Sequence, residues 1–208
     1  MKNSAVILSG GASKRFGIDK GIVKLLNKPL IMHVNDSIAP LVDEIIIVLH
    51  SKVQLIKYQE IAKSSRLIVD ECELHAPIGG ALTGFKHAHG EYSILLSCDT
   101  PLISRKIVSR LLDLAPDNDA VVPQWPNKYI EPLQAVYKTQ TTFNAAVEAI
   151  KKRKLKLSNM IEELHKVIFI STKTLEILDP NLDTFFNVNT PLELEMVETI
   201  MKSQKSLY

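Results

Sequence analysis

The chain has 208 residues, 46% of them apolar, with 25 Lys and Arg against 23 Asp and Glu. This is the length of roughly 1.4 ordinary domains, and the apolar content excludes a disordered chain, while a net charge of +2 is too small to hold nucleic acid by bulk charge. Two cysteines, Cys72 and Cys98, make no disulfide scaffold, no apolar run approaches the ~20 residues of a membrane span, and Ala5 to Leu8 is too short for a signal peptide. The reading is of a cytoplasmic protein that engages neither nucleic acid nor membrane.

Short apolar runs alternate with helix-like stretches. The first is Ala5 to Leu8, followed by a glycine-rich stretch. Pro29 to Ala39 reads as a helix started by proline, with Leu30, Val34 and Ile38 on one face. A second strand is expected at Ile45 to Leu49, a helix at Val53 to Lys63, a third strand at Leu67 to Val69 and a helix at Gly79 to His87. Ser93 to Leu96 is the fourth strand. Ser104 then opens a helix to Leu114 whose Ile107, Leu111 and Leu114 recur at helical spacing. Ala120 to Val122 is a strand, Gln134 to Tyr137 a weaker one, Thr139 to Lys151 and Leu155 to Leu164 are helices, and Val167 to Ile170 is a strand. Thr190-Pro191-Leu192-Glu193 starts a final helix, with Thr as cap and Glu at the third position. Near-continuous apolar strands alternating with helices predict an α/β fold: a mostly parallel sheet covered on both faces. No linker or repeat divides the chain.

In such sheets ligands bind beyond the carboxyl ends of the strands. The first strand ends in Leu8-Ser9-Gly10-Gly11, with Arg15 and Lys20 downstream. Paired glycines turn backbone N–H groups onto an anion, and the two cations suit a polyphosphate. This is neither a P-loop nor a dinucleotide fingerprint, since both spacings are absent. The fourth strand ends in Ser97-Cys98-Asp99-Thr100-Pro101, where one carboxylate suits Mg²⁺ as well as it suits a turn cap. Cys98 reads as a small buried residue. Asp70 follows the third strand, and Gly79 and Gly80 leave room for a flat base beside the backbone. Asn187-Val188-Asn189 puts two amides on one side of an extended segment. Lys151 to Lys154 with Lys156 is the one basic cluster, a local patch suited to a small anion, and Trp125 in its Pro-flanked loop is expected to pack.

Taken together, these motifs resemble the molybdenum cofactor guanylyltransferase family. The opening pattern L-x-G-G-x-S-x-R-x-G-x-D-K is met by Leu8, Gly10, Gly11, Ser13, Arg15, Gly17, Asp19 and Lys20. Asn27 to Leu30, Pro77 to Gly80, Cys98 to Pro101, Pro132 to Tyr137 and Asn187 to Pro191 follow in the family order. The resemblance implies a three-layer Rossmann-like nucleotidyltransferase fold over residues 1–208, with a nucleotide-binding half to about residue 105 and an acceptor-binding half beyond it. It implies transfer of GMP from GTP to molybdenum-molybdopterin, with Mg²⁺ as cofactor and molybdoenzymes or their chaperones as possible recipients.

Carried over residue by residue, Arg15, Lys20 and Asp99 are the catalytic candidates. Leu8, Ser9, Gly10, Gly11, Lys20, Asp70, Gly79 and Asp99 are the nucleotide-binding ones, Asp99 is the metal ligand, and Asn187 and Asn189 face the acceptor; from the basic cluster, not from the resemblance, Lys154 is added as a dock for the acceptor's phosphate. Two departures stand out: many relatives have Asn after the second strand where this chain has His50-Ser51, and Ala76 replaces Gly before Pro77. Cytidylyl transfer and a non-catalytic nucleotide-binding adaptor are the alternatives. Related cytidylyltransferases tend to carry Ala at one of the positions of Gly10 and Gly11, so the double glycine favours the purine.

Overall fold

The computed structural model describes residues 2–9, 19–74 and 76–205. Strand β1 (Asn3–Ser9) is followed by a short hairpin, β2 (Lys24–Leu25) and β3 (Lys28–Pro29), and by helix α1 (Leu30–Ile38). Then come β4 (Glu44–Leu49), α2 (Lys52–Gln59), β5 (Arg66–Val69), α3 (Pro77–His87) and β6 (Tyr92–Ser97). The second half contains α4 (Arg105–Asp113), β7 (Ala120–Gln124), β8 (Gln134–Lys138), α5 (Thr139–Lys151), α6 (Leu157–Glu162), β9 (Val167–Ser171), α7 (Thr172–Leu175) and α8 (Pro191–Lys205).

Seven strands form one sheet in the order β5-β4-β1-β6-β8-β7-β9. Only β8 runs antiparallel to its neighbours, wedged between β6 and β7. The expected mostly parallel sheet is therefore present, as is the cover on both faces. Alternate residues of the strands explain the cover. Ala5, Ile7, Ile45, Ile47, Leu49, Ile94 and Leu96 pack with α1 and α4 on one face. Val6, Ile46, Val48, Leu95 and Val122 pack with α3, α5 and α6 on the other. Both sets are almost wholly removed from water, so the strand sequences carry no polar side to reveal their alternation. Helix α3 lies so close to the sheet that a Cβ on Gly84 would overlap Val6 Cγ1.

Several boundaries differ from the sequence expectation. Pro29 belongs to the hairpin and holds the extended backbone ahead of α1 rather than its first turn. Ser104 does cap α4 by position, but its side chain makes no capping hydrogen bond. The helix expected at Val53 to Lys63 ends at Gln59, and that expected at Leu155 to Leu164 spans only Leu157–Glu162. The β2–β3 hairpin had no sequence signal, because its two-residue turn is Leu26-Asn27, both at positive φ (49° and 64°). Such a turn normally advertises itself with Asn-Gly, and Leu in the first position hides it. Leu25 and Val23 of this region form a third apolar cluster with Leu30, Val188 and Val197, through which α8 folds back against the hairpin.

Candidate active site

Parallel pairing of β1 with both β4 and β6 brings their carboxyl ends to one edge of the sheet. Ser9 ends β1, and Asp99 lies two residues beyond β6. A single 3₁₀ turn, Lys20–Ile22, returns the chain to this edge, and the Asp19 carboxylate caps it by accepting from Gly21 N–H at 3.1 Å. The cap sets the direction of Lys20. Its Nζ donates to Asp99 Oδ2 at 2.8 Å and to Asn189 Oδ1 at 2.7 Å. Both partners of the ion pair are largely withdrawn from solvent, at 16% and 14% exposure, where charges interact more strongly than in water.

Asp99 Oδ1 is buried and has no hydrogen-bond partner among the described residues. A buried carboxylate oxygen left unpaired is costly, and a cation would satisfy it. Among the described residues no group of three or more His, Cys, Asp or Glu side chains could enclose a metal. Magnesium does not need one, since it takes one or two carboxylates and completes its shell with phosphate oxygens and water. The donor set therefore fits a substrate-completed Mg²⁺ site.

The segment after a 3₁₀ turn at Asp183–Phe185 closes the site from the other side. Val188 N–H donates to the Asp99 carbonyl at 2.8 Å, and the Val188 side chain is fully buried while Asn187 is exposed. This is the alternation expected of an extended segment. Asn189 is held in turn by Glu193, whose Oε2 accepts from its N–H at 2.6 Å while Thr190 Oγ1 caps the Glu193 N–H. The Asn189 N–H is the main reason the Glu193 carboxyl sits below the usual carboxylate range. Lys20 and Asn189, expected on the nucleotide and acceptor sides, are thus joined by one hydrogen bond.

Asp70 is at the end of β5, where Oδ1 accepts from Thr83 Oγ1 at 2.6 Å and from Cys72 N–H at 3.0 Å. With His50, Cys72 and Glu73 it lines a hollow of about 400 Å³. Gly79 and Gly80 lie beside it in the first turn of α3, but a Cβ on either would press on the protein itself. At Gly79 it would meet Cys72 and the Leu74 carbonyl, and at Gly80 the Leu8 side chain. Packing thus accounts for small residues here, a constraint separate from the room expected for a flat base. Leu8 presents its carbonyl to Cys98 N–H at 3.1 Å. Cys98 is buried as expected, and that burial, reinforced by the Asp99 charge, pushes its thiol up to about 12.

Ser9 is only 2% exposed, and its Oγ is spent on the Tyr58 hydroxyl at 2.7 Å. Lys154 lies at the surface, 3.5 Å from Glu162. Its neighbours Lys151 and Lys152 pair with Glu148 and Glu163, so the basic run is largely neutralised by its own surroundings. Trp125 packs edge-on against Phe185, with ring centroids 5.7 Å apart, and donates from Nε1 to Glu131 at 2.7 Å. Gly10, Gly11 and Arg15 fall outside the described residues. Two side chains had escaped notice, Gln54 and Tyr58. They sit four positions apart on α2, and that spacing of polar groups on one helix face was the available signal.

The fold is that of the Rossmann-like nucleotidyltransferases. More narrowly, the chain belongs to the MobA-like NTP transferase domain family, whose pattern it matches over residues 5–167. It is 32% identical over 202 residues to the probable molybdenum cofactor guanylyltransferase of Pyrococcus horikoshii, covering 95% of this chain and 100% of that protein. The protein of the same name from Methanosarcina mazei is 27% identical over 198 residues, covering 92% and 88% respectively. Among solved structures, molybdopterin-guanine dinucleotide biosynthesis protein A from Archaeoglobus fulgidus superposes with a TM-score of 0.81 at 25% identity, covering 96% of this chain and 99% of that one.

Proposed function

We propose that this protein transfers GMP from GTP to molybdenum-bound molybdopterin, yielding the guanine dinucleotide form of the cofactor and pyrophosphate. The observation that carries the reading is Lys20 Nζ held against Asp99 at the carboxyl edge of the sheet, with the second Asp99 oxygen unpaired among the described residues. The names borne by full-length relatives point the same way. On this reading the half up to about residue 105 takes the nucleotide and the remainder takes the pterin.

The acceptor is a phosphate monoester, with a second pKa of about 6, so at neutral pH it is mostly dianionic and needs no general base. An acceptor oxygen attacks the α-phosphorus, the bond to the β-phosphate bridge breaks, and pyrophosphate leaves with the electron pair. The barrier lies in bringing two polyanions together and in line. Lys20 and Arg15, with the Gly10 and Gly11 amides, hold the β- and γ-phosphates and stabilise the charge that develops on the leaving group. Asn189 orients Lys20 and, with Asn187 and Lys154, faces the acceptor. Asp70 and Gly79 border the nucleoside. Asp99 is the residue that would hold Mg²⁺, which when bound neutralises phosphate charge.

The test is pyrophosphate release from GTP, CTP and ATP with molybdenum-loaded molybdopterin and Mg²⁺. GTP is expected to be the preferred donor. Equal or faster use of CTP overturns the guanylyl assignment, and tight GTP binding without pyrophosphate release makes the protein an adaptor.

A further inference from the structure

The polar atoms beneath the lysine form a closed arrangement. Tyr58 OH donates to Asp19 Oδ1 at 3.0 Å and lies 2.7 Å from Ser9 Oγ. Gln54 Nε2 donates both to Asp19 Oδ2 at 2.7 Å and to the Ser9 carbonyl at 3.1 Å. Its other amide atom, Oε1, accepts from His50 N–H at 2.6 Å. One side chain therefore touches the end of β1, the residue preceding Lys20, and the β4–α2 loop whose His50 lines the hollow with Asp70. Tyr58 is fully buried. The chain also makes room for this arrangement at Gly21, where a Cβ would overlap the Tyr58 hydroxyl and come within 2.7 Å of Ser9 Oγ.

We infer that Gln54, with Tyr58, is a positioning residue: it locks Asp19, and through it Lys20, to the loop that borders the nucleoside hollow, so that the phosphate and nucleoside ends of the site hold one spacing. Among the described residues, four hydrogen bonds reach Asp19 from this clamp and from its own turn: Gly21 N–H and Tyr58 OH on Oδ1, Gln54 Nε2 on Oδ2, and Ile22 N–H on the carbonyl that helps to close the 3₁₀ turn. Among the described residues the Lys20 ammonium hydrogen-bonds Asp99 and Asn189, not Gln54 or Tyr58, so removing either of the latter changes where the ammonium stands and leaves its charge intact. The inference rests on the nucleotidyl-transfer reading for its kinetic consequence, but its structural half does not.

Two variants and two readouts separate these. Tyr58→Phe keeps the buried ring and deletes only the hydroxyl. Gln54→Glu keeps an acceptor for His50 N–H and sets a carboxylate against Asp19 in place of the donor. Amide exchange of residues 19–22, followed by mass spectrometry without nucleotide, is expected to quicken about tenfold in both while exchange in β1 and β6 holds, as for the loss of roughly one net hydrogen bond. Mg·GTP affinity by calorimetry is expected to fall about five- to tenfold, and for Gln54→Glu to recover as the pH is lowered to about 5 and the new carboxyl takes up a proton. A uniformly unfolded scaffold does not give that recovery.

Unchanged exchange at 19–22 overturns the clamp. Faster exchange with wild-type GTP affinity overturns its role in positioning. Faster exchange in a protein whose wild type binds no GTP upholds the clamp and sinks the guanylyltransferase reading instead.

Discussion

Asp99 and Lys20 are neighbours only in space, and each is informative because of what the other does to it. Asp99→Ala removes the unpaired oxygen and the lysine's partner together. Turnover, measured as pyrophosphate release at saturating Mg²⁺, is expected to fall by roughly 10²-fold or more, in line with the loss of one electrostatic stabiliser. Lys20→Ala is expected to behave alike, and a folded variant with unchanged rate and KM removes lysine from the site. Cys98 gives a test of burial at the same scale. With its thiol pushed up to about 12 it stays protonated at pH 8, so a thiol reagent is expected to titrate one rapid group, Cys72, and leave Cys98 unmodified until the protein unfolds. That Asp70 and Asp99 stand at the carboxyl edge was legible in the sequence, because each follows a parallel strand, whereas the meeting of Lys20 with Asp99 and Asn189 joins segments far apart in the chain and was decided by packing. Gln54 and Tyr58 were not legible. A polar residue on a short amphipathic helix looks solvated until the loop it faces is known.

Elements record the same division between what patterning reveals and what only packing decides. Every large strand and helix was legible, since apolar runs and caps belong to single elements. The β2–β3 hairpin was hidden, because Leu26 at its first turn position packs with the apolar cluster that includes Val197 of α8, and only Asn27 follows turn preference. Close packing also sets the cost of change. Gly84→Ala drives a methyl into Val6 between α3 and β1, and is expected to destabilise the fold by about 1–3 kcal/mol in urea unfolding.

At the opposite edge of the sheet, Glu44 of β4 joins three elements through Ser4 Oγ, Arg66 Nη1 and the His89 N–H. Burial opposes its charge, but these bonds outweigh it and hold the carboxyl at about 2, below its ordinary 4.5. The unfolded chain therefore takes up this proton first. The contribution is complete above about pH 4.5 and disappears as the pH falls towards 2. Glu44→Gln is expected to flatten the pH dependence of stability in that window, and a parallel curve for the variant argues against it.

At the scale of the whole molecule, the sheet carries two kinds of pairing. β5-β4-β1-β6 is an uninterrupted parallel block and contributes the edge that carries Ser9, Asp70 and Asp99. The antiparallel β8 joins it to β7 and β9. Near neutrality overall, the chain sets Lys20 against Asp99 where both are largely withdrawn from solvent, whereas the Lys151 run meets its glutamates at the surface. GTP with Mg²⁺ at about a hundred times its Kd is expected to raise the Tm by roughly 5–10 °C, with a smaller shift for CTP.

The chain has one tryptophan, and it lies edge-on to Phe185, two residues before Asn187. Its emission therefore comes from a single joint, the contact between the loop after β7 and the segment that carries the two asparagines. The protein thus has an intrinsic optical gauge beside Asn187 and Asn189, far in sequence from the glycine-rich stretch after β1. If that segment takes the second substrate, as proposed above, selective excitation of Trp125 times its arrival without a label.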